Sequence, residues 1–460
     1  MYSLQEVMAA KSIAVFGASR DPLKPGSALI QTLKDTGFQG EVAGVNPQGG
    51  EVYGTTLYRT VEEIPFTVDL AALIIPPAAV PQALRACAGK GVKGVVISSE
   101  GFAESGPEGR RYQEQVLAIL KETGMRCFGP NTLGIVNTAT GLTTSYFADR
   151  RMLKPGSIGF AAQSGIFVGA LLRYLGSWGI HISKGFGLGN KVDVDESDVL
   201  DYFTDDEQTR TVGLYLEGIR DGGRFMEVAR RATGRKPVVL LKGGRSVEGA
   251  RALASHTASL ALDDAVLDGV VRQAGILRMQ DIEELLGTII GFDWTPLPRG
   301  NRIAVVTYSG AQAIMCIDKA MELGLELARF TDETQKKLSV VIPTGYKRQN
   351  PIDIFPDMMA QGFEATALGI LKALMEDEGV HGIIFISFAI FGSDAYLPIV
   401  ELLEGRMNKP VFFTTFGARE DVEACKELLL AHRVPYVYIP ETAARAMAHM
   451  WRHARRTGIA

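Results

Sequence analysis

The sequence alternates short apolar runs with segments of helical periodicity, and this alternation limits the fold more than any other feature. The first such runs cover residues 12–16, 41–45, 69–75 and 94–98, and each is followed by glycine, proline, asparagine or serine. Apolar runs of this length predict buried strands. Strands that alternate with helices build a parallel, doubly wound sheet. We therefore predict an α/β fold.

Turn-rich segments divide the chain into three parts. At roughly 150 residues per domain, a chain of 460 residues has room for about three domains. Proline and glycine at residues 154–156 and 296–301 are typical of linkers. The predicted domains span residues 1–145, 150–295 and 300–460.

Composition excludes several classes of protein. A net charge of -4 without a basic block argues against nucleic-acid binding. No apolar run reaches the roughly 18 residues of a membrane span, and no signal peptide is expected at the start of the sequence. We expect a cytoplasmic protein in a reducing compartment, because its cysteines are isolated and suit neither zinc nor disulfides. They are Cys87, Cys127, Cys316 and Cys425.

The ends of the first four predicted strands carry residues that suit a nucleotide-like ligand. They are Gly17, Ala18, Ser19 and Arg20, then Asn46 and Pro47, then Pro76 and Pro77, then Glu100 and Gly101. Open parallel sheets bind ligands at the carboxyl ends of their strands. Each position alone fits an ordinary turn, but the four together favour a ligand. The glycine turn is not a strict G-x-G-x-x-G, and Asn46 replaces the acidic residue of a nicotinamide site, which argues against an oxidoreductase.

His256 is the candidate nucleophile of the second segment. It follows a predicted strand at residues 237–241 and a turn at residues 242–246. We predict a loop that carries His256 to a helix beginning near Ser259. Small neighbouring residues would let a bulky anion approach the imidazole, which suggests transient phosphorylation. The alternative is a loop histidine that hydrogen-bonds to the backbone.

Two other strand ends in this segment bear on that hypothesis. Glu217 follows a predicted strand one βα unit before His256, where its carboxylate could accept the imidazole N–H. A cap or salt bridge is the alternative. Gln163, Ser164 and Gly165 precede a predicted helix, whose N-terminus could hold an anion. An ordinary serine N-cap is the alternative there.

A glycine-rich loop is predicted at residues 185–190, and carboxylates follow it. They are Asp193, Asp195, Glu196 and Asp198. Such a cluster could hold a metal ion, but the acidic bias of a helix start is the favoured interpretation.

Several motifs, in order, carry a resemblance to a known family. They are G-A-S-R at 17–20, N-P at 46–47, E-G-F at 100–102, G-P-N-T-L-G at 129–134, Q-S-G at 163–165, G-N-K-V-D at 189–193 and S-H-T-A-S-L at 255–260. The chain resembles, over nearly its whole length, the α subunit of the ADP-forming acyl-CoA synthetases, relatives of succinyl-CoA synthetase. Ala258 replaces the glycine usual in that family. The resemblance implies a Rossmann-like CoA-binding domain followed by two flavodoxin-like α/β domains.

The resemblance also implies a reaction and roles for the residues named above. The reaction interconverts acyl-CoA, phosphate and ADP with acid, CoA and ATP, through an acyl phosphate and a phosphohistidine at His256 paired with Glu217. The strand ends of the first segment would bind CoA, and Asn131 and Thr132 would lie near the thioester. Two helix starts would face the phosphoryl group. Their residues are Gln163, Ser164 and Gly165, and Ser309, Gly310 and Ala311.

No ATP-grasp segment and no P-loop can be identified in the sequence. By resemblance, a separate ATP-grasp β subunit would carry ADP or ATP and Mg²⁺ in an α₂β₂ assembly, and the loop holding His256 would move between two sites. Acetate and other short acids are the expected substrates, again by resemblance only. The alternatives are a CoA-binding regulatory subunit without turnover and a nicotinamide-dependent oxidoreductase.

Overall fold

The computed structural model describes residues 1–148, 153–164, 172–257 and 263–460. These residues form two compact units, residues 1–278 and residues 279–460. Described strands build three sheets, which are flanked by helices and confirm the predicted α/β fold. Within the described ranges, no helix combines the length and apolar character needed to cross a membrane.

The first sheet is formed by strands from the amino-terminal part of the chain. Its strands are β1 (Ser12–Phe16), β2 (Glu41–Val45), β3 (Gly50–Val52), β4 (Thr55–Tyr58), β5 (Leu70–Leu73), β6 (Gly94–Ile97) and β7 (Arg126–Phe128), in the order β3-β4-β2-β1-β5-β6-β7. Its helices are Leu4–Met8, Pro25–Asp35, Val80–Gly89 and Pro107–Thr123, with short 3-10 helices at Pro77–Ala79 and Ala103–Ser105. β1, β5 and β6 are buried along their whole length, as expected of parallel strands covered on both faces. Only the β3–β4 hairpin is antiparallel among these pairs.

The second sheet is mixed rather than purely parallel as predicted. Its strands are β8 (Ile135–Asn137), β9 (Leu142–Thr143), β10 (Ile158–Ala162), β11 (Ile182–Gly187), β12 (Thr211–Leu216), β13 (Val238–Lys242) and β14 (Leu277–Met279), in the order β14-β13-β12-β10-β11-β8-β9. Its helices are Glu196–Asp205, Gly222–Thr233, Val247–Thr257 and Asp264–Ala274, and residues 172–177 are also helical. The β8–β9 hairpin pairs antiparallel with β11, although its residues fall within the predicted first domain. The domain boundaries themselves stay a prediction.

β11 also runs further than the sequence suggested. The predicted loop at residues 185–190 is wrong for its first half, because the strand continues to Gly187. A side chain at Gly187 would stand 2.3 Å from the hydroxyl oxygen of Thr132. The glycine therefore serves a close approach inside a strand and not a turn.

The third sheet is parallel in all its pairs. Its strands are β15 (Arg302–Thr307), β16 (Glu326–Leu327), β17 (Ile352–Asp353), β18 (Gly382–Phe388) and β19 (Val411–Phe416), in the order β16-β15-β18-β19, with β17 also paired to β15. The helices of this unit are Ile282–Trp294, Gly310–Glu322, Asp332–Val341, Phe355–Gln361, Phe363–Glu376, Leu397–Leu403, Arg419–Ala431 and Pro440–Arg456. Short 3-10 helices lie at Gly345–Arg348, Ala389–Phe391 and Ser393–Tyr396.

The segment that holds His256 is a helix, so the predicted loop is wrong there. Helix Val247–Thr257 begins after Ser246, whose hydroxyl accepts the backbone N–H of Gly249 at 3.0 Å. A serine cap and an alanine-rich sequence both favour a helix. The side chain of His256, and the predicted helix start at Ser259 with the neighbouring Ala258, lie outside the described residues.

Candidate active site

The carboxyl edge of the first sheet gathers the residues predicted to bind CoA. β2, β1, β5, β6 and β7 are consecutive parallel neighbours. The residues that follow these strands therefore meet at one edge, and they include Asn46, Gly17, Pro76, Glu100 and Asn131. The strand order reverses between β1 and β5, which is where open α/β sheets bind their ligands.

The turn after β1 has room for backbone only. Gly17 has a φ of 85°, and an ideal Cβ there would lie 2.0 Å from the carbonyl oxygen of Ile74. A Cβ on Gly26 would stand 2.5 Å from the carbonyl of Gly17. The start of helix Pro25–Asp35 thus packs directly on the turn. This arrangement suits a phosphate-bearing ligand, because a helix start offers backbone N–H groups at its positive end.

Side chains fix the shape of this turn. The hydroxyl of Ser27 accepts the Ser19 N–H at 3.0 Å and donates to the Ser19 carbonyl at 2.8 Å. Asn46 donates from Nδ2 to the Ala18 carbonyl at 2.7 Å, which joins the ends of β1 and β2. Arg20 is exposed at the rim of the turn.

Glu104 connects the turn after β6 to the second sheet. One carboxylate oxygen accepts the N–H groups of Gly101 and Phe102 at 2.7 and 3.0 Å. The other accepts Nδ2 of Asn190 at 2.6 Å. Burial acts to raise the pKa of Glu104, but these hydrogen bonds, led by the Phe102 N–H, outweigh it and lower the pKa. The carboxylate therefore stays ionised and holds the two turns together.

The loop after β7 packs against the same turn of the second sheet. Asn131 has a φ of 60°, a conformation that asparagine tolerates better than most residues. The N–H of Asn190 donates to the Pro130 carbonyl at 2.9 Å. An ideal Cβ on Gly189 would lie 2.1 Å from that carbonyl oxygen, so only glycine fits. Asn131 and the buried Thr132, both predicted to lie near the thioester, thus sit between the two sheets.

Glu217 lies at the carboxyl end of β12 in a buried hydrogen-bond network. It is 7% exposed, and its backbone N–H donates to Oε1 of Gln163 at 3.0 Å. The next N–H, that of Gly218, donates to the same oxygen at 3.1 Å. Nζ of Lys191 donates to Gln163 Oε1 at 3.1 Å and to the Gly218 carbonyl at 2.9 Å. It also forms an ion pair with Glu196 at 2.8 Å.

Residues of β12 and β13 pack closely around the buried side chain of Glu217. An ideal Cβ on Gly243 would lie 2.6 Å from the Tyr215 hydroxyl and 3.6 Å from Cγ of Glu217. Burial, followed by the charge of Glu217, raises the pKa of Tyr215. Burial also lowers the pKa of Lys242, which ends β13 beside β12. Charges in such a dry setting interact more strongly than in water.

The predicted phosphate residues of this sheet are only partly described. Gln163 is buried, and its Oε1 already accepts hydrogen bonds within the network. A contact with phosphate stays a prediction and would come from Nε2. Ser164 is half-buried, and Gly165 lies outside the described residues. In the sequence, Lys191 stood out only as part of the G-N-K-V-D motif at residues 189–193, and it was given no role. The available signal was a lysine in a glycine turn between a buried strand and a helix.

The acidic cluster is explained by a helix cap and ion pairs, as the favoured interpretation predicted. Asp195 caps helix Glu196–Asp205, and its carboxylate accepts two backbone N–H groups of the first turn. Arg126 pairs with Asp193 at 2.9 Å and with Asp198 at 3.0 Å. These ion pairs join the end of the first sheet to the second.

The predicted helix start in the carboxyl-terminal unit is confirmed. Ser309 is the N-cap of helix Gly310–Glu322, which begins at the carboxyl end of β15. Thr307 holds the turn by accepting the Ser309 N–H at 3.0 Å. Gly310 and Ala311 are exposed, and outside the helix's own first turn no atom of the described residues lies within 4 Å of an ideal Cβ on Gly310. The first turn of this helix is open, and its contact with phosphate stays a prediction.

Comparison with known proteins gives the family. A CoA binding domain family matches residues 11–138, and a succinyl-CoA ligase like flavodoxin domain matches residues 155–290. The ADP-forming acetate–CoA ligase II of Archaeoglobus fulgidus is 38% identical over 457 residues, which cover 98% of this chain and 67% of that protein. The subunit alpha of acetate–CoA ligase (ADP-forming) II of Pyrococcus furiosus is 36% identical over 457 residues, with 97% of each chain covered.

A solved structure agrees with this assignment. It is the dinucleotide forming acetyl-coenzyme A synthetase 1 of Ca. Korarchaeum cryptofilum, in complex with phosphate and ADP. Its TM-score is 0.90 at 30% sequence identity, and the match covers 100% of this chain and 98% of that one. The chain therefore belongs to the family of ADP-forming acetate–CoA ligase alpha subunits, and its first domain is a CoA-binding domain.

Proposed function

We propose that this chain is the catalytic α subunit of an acid–thiol ligase that works through a phosphohistidine at His256. The observation that carries the proposal is the buried carboxylate of Glu217 at the end of β12. β13, which leads into the helix of His256, is the parallel neighbour of β12. The N–H of Gly243 donates to the Leu216 carbonyl at 2.9 Å, so the turns after the two strands run side by side.

The proposed reaction has three balanced steps. A phosphate oxygen attacks the thioester carbonyl, the C–S bond breaks, and CoA leaves as the thiolate, which gives an acyl phosphate. A nitrogen of His256 then attacks phosphorus, and the carboxylate of the acid leaves. Finally, the terminal phosphate oxygen of ADP attacks the phosphohistidine, which gives ATP and restores the imidazole. In the second step, Glu217 would accept the other imidazole N–H and keep the attacking nitrogen unprotonated.

CoA fits the carboxyl edge of the first sheet. Gly17 and Gly26 have no side chains where the turn meets helix Pro25–Asp35. A phosphate group can therefore reach the start of this helix. Arg20 offers a charge at the rim, and Asn131 marks the end of the edge nearest the second sheet. The thioester would therefore point toward the turn that holds Glu217.

A helix start would hold the phosphoryl group. The helix start predicted after Ser164 lies outside the described residues. Backbone N–H groups at helix starts stabilise the charge of a phosphoryl group. A phosphohistidine has a high transfer potential, so such groups and shielding from water are needed to keep it intact.

The nucleotide would be bound by another chain. The Pyrococcus furiosus relative, with 97% of each chain covered, is a subunit alpha. That likeness supports a separate ATP-grasp β subunit that carries ADP or ATP and Mg²⁺, in an α₂β₂ assembly. The names of these relatives favour acetate as the acid.

The test is ATP formation from acetyl-CoA, phosphate, ADP and Mg²⁺, with and without a purified ATP-grasp subunit of a related ligase. ATP is expected only from the mixture, and His256→Asn should abolish it. ATP from the chain alone would contradict the division into subunits. CoA binding without turnover in the mixture would instead identify a regulatory subunit, and a nicotinamide-dependent absorbance change would identify an oxidoreductase.

A further inference from the structure

We infer that Lys191 is a positioning residue for the proposed reaction, which holds the turn at Glu217 and Gly218 through the side chain of Gln163. The inference rests on the proposed function. It gives a role to Lys191, which the sequence marked only as part of the G-N-K-V-D motif.

The ammonium group of Lys191 is fully used. Its acceptors are Gln163 Oε1 at 3.1 Å, Glu196 Oε2 at 2.8 Å and the Gly218 carbonyl at 2.9 Å. An ammonium has three N–H donors, so each donor has one acceptor. The side chain is 9% exposed, and water therefore replaces these contacts poorly.

Charge balance alone does not account for this arrangement. The side chain of Glu196 is 0% exposed and needs a cation, and Lys191 supplies it. The other oxygen of Glu196 already accepts the backbone N–H of Arg220 at 2.6 Å. One donor of Lys191 would be enough for the ion pair. The remaining two donors both go to groups that fix the position of the turn at Glu217 and Gly218.

Gln163 transmits this constraint. Its Oε1 accepts two successive backbone N–H groups, those of Glu217 and Gly218, in addition to Lys191. Without the lysine, Oε1 of Gln163 would keep only its hydrogen bonds from the N–H groups of Glu217 and Gly218. Nothing outside that turn would then fix the position of this oxygen. The amide could then rotate, and the carboxylate of Glu217 would move with its backbone.

Lys191 is itself anchored to the CoA edge. Its neighbour Asn190 donates from the backbone to the Pro130 carbonyl at 2.9 Å and from the side chain to Glu104 at 2.6 Å. One short turn therefore connects the loops of the CoA-binding domain to the turn of Glu217. Lys191 thus sets the position of the carboxylate relative to the bound thioester.

The test compares Lys191→Met with Lys184→Met in the full chain. Lys184 is a matched control, because it is also buried in the second sheet, with Gln208 at 2.6 Å and Asp206 at 3.4 Å. Three quantities are measured for each variant: the rate of phosphohistidine formation from acetyl phosphate, the Kd for CoA, and hydrogen exchange of the amides at residues 217 and 218.

We expect Lys191→Met to slow phosphorylation roughly 10- to 100-fold, the range that a small misplacement of a catalytic group produces. The Kd for CoA should stay within about twofold, because a positioning residue affects the rate and not the affinity. Exchange of the two amides should become at least about tenfold faster. Lys184→Met should alter neither the rate nor this exchange, even where it lowers stability.

Equal slowing by the two variants would overturn the inference, because it would show only a general loss of stability. Faster amide exchange with an unchanged phosphorylation rate would also overturn it, since the turn would then move without consequence. A wild-type chain that takes no phosphoryl group on histidine would instead overturn the proposed function, and the inference with it.

Discussion

Replacing Gly189 by alanine should damage the junction between the two sheets of the first unit. Gly189 has a φ of 56°, and its ideal Cβ would stand 2.1 Å from the carbonyl oxygen of Pro130. That oxygen also accepts the N–H of Asn190. The added methyl group must therefore displace backbone, and not the end of a flexible side chain.

The magnitude follows from two separate costs. A left-handed conformation costs alanine about 1 kcal/mol. Relief of the clash moves the turn, and the buried Pro130 carbonyl then loses its hydrogen bond from Asn190. This loss costs about 2 kcal/mol more. The expected loss in the free energy of unfolding is thus about 3 kcal/mol.

Gly91→Ala provides the matched control. Gly91 has a φ of 82°, and apart from its chain neighbours no atom in the described part of the chain lies within 4 Å of its ideal Cβ. Both substitutions change the unfolded chain in the same way, so the difference between them isolates the clash. Urea unfolding followed by circular dichroism should give about 1 kcal/mol for Gly91→Ala and about 3 kcal/mol for Gly189→Ala. Equal losses would refute the argument that backbone contact at Pro130 demands a glycine.

Three further predictions concern charge. Arg126→Met should cost about 3 kcal/mol in urea unfolding, because Asp193 keeps a partly buried charge without its partner, and a loss below about 1 kcal/mol would contradict this. Glu104→Gln should weaken CoA binding about fivefold in calorimetry, because the amide has one acceptor oxygen and its NH₂ group would face either the backbone N–H donors or the Asn190 donor, and an unchanged Kd would oppose it. Burial lowers the pKa of His453 to about 4, so the unfolded chain takes up the proton first as the pH falls below about 6.5. The free energy of unfolding should therefore fall by about 2 kcal/mol between pH 7 and pH 5 because of His453. In His453→Gln, this decrease with pH should be smaller by about 2 kcal/mol.

Much of the fold could be predicted because local patterns decide it. The apolar runs of β1, β5 and β6 are buried on both faces, so their composition alone indicates parallel strands. Residues after parallel strands share an edge whatever the details of packing, and the ligand edge at Gly17 and Asn46 could therefore be predicted.

Contacts between distant segments could not be predicted in the same way. The role of Lys191 depends on the placement of Gln163 and Gly218, which are separated from it by 28 and 27 positions in the chain. The β8–β9 hairpin joins the second sheet through pairing with β11, which its own sequence does not specify. The helix at Val247–Thr257 is different, because the cap at Ser246 and the alanines were visible in the sequence.

The most direct test of the proposed mechanism is to locate the phosphoryl group. Trypsin should release residues 252–272 as one peptide, and His256 is the only histidine in it. After incubation with acetyl-CoA and labelled phosphate, this peptide should carry an acid-labile, base-stable label, and His256→Asn should carry none. Label on another peptide, or label that persists in the variant, would contradict the assignment of the phosphohistidine to His256.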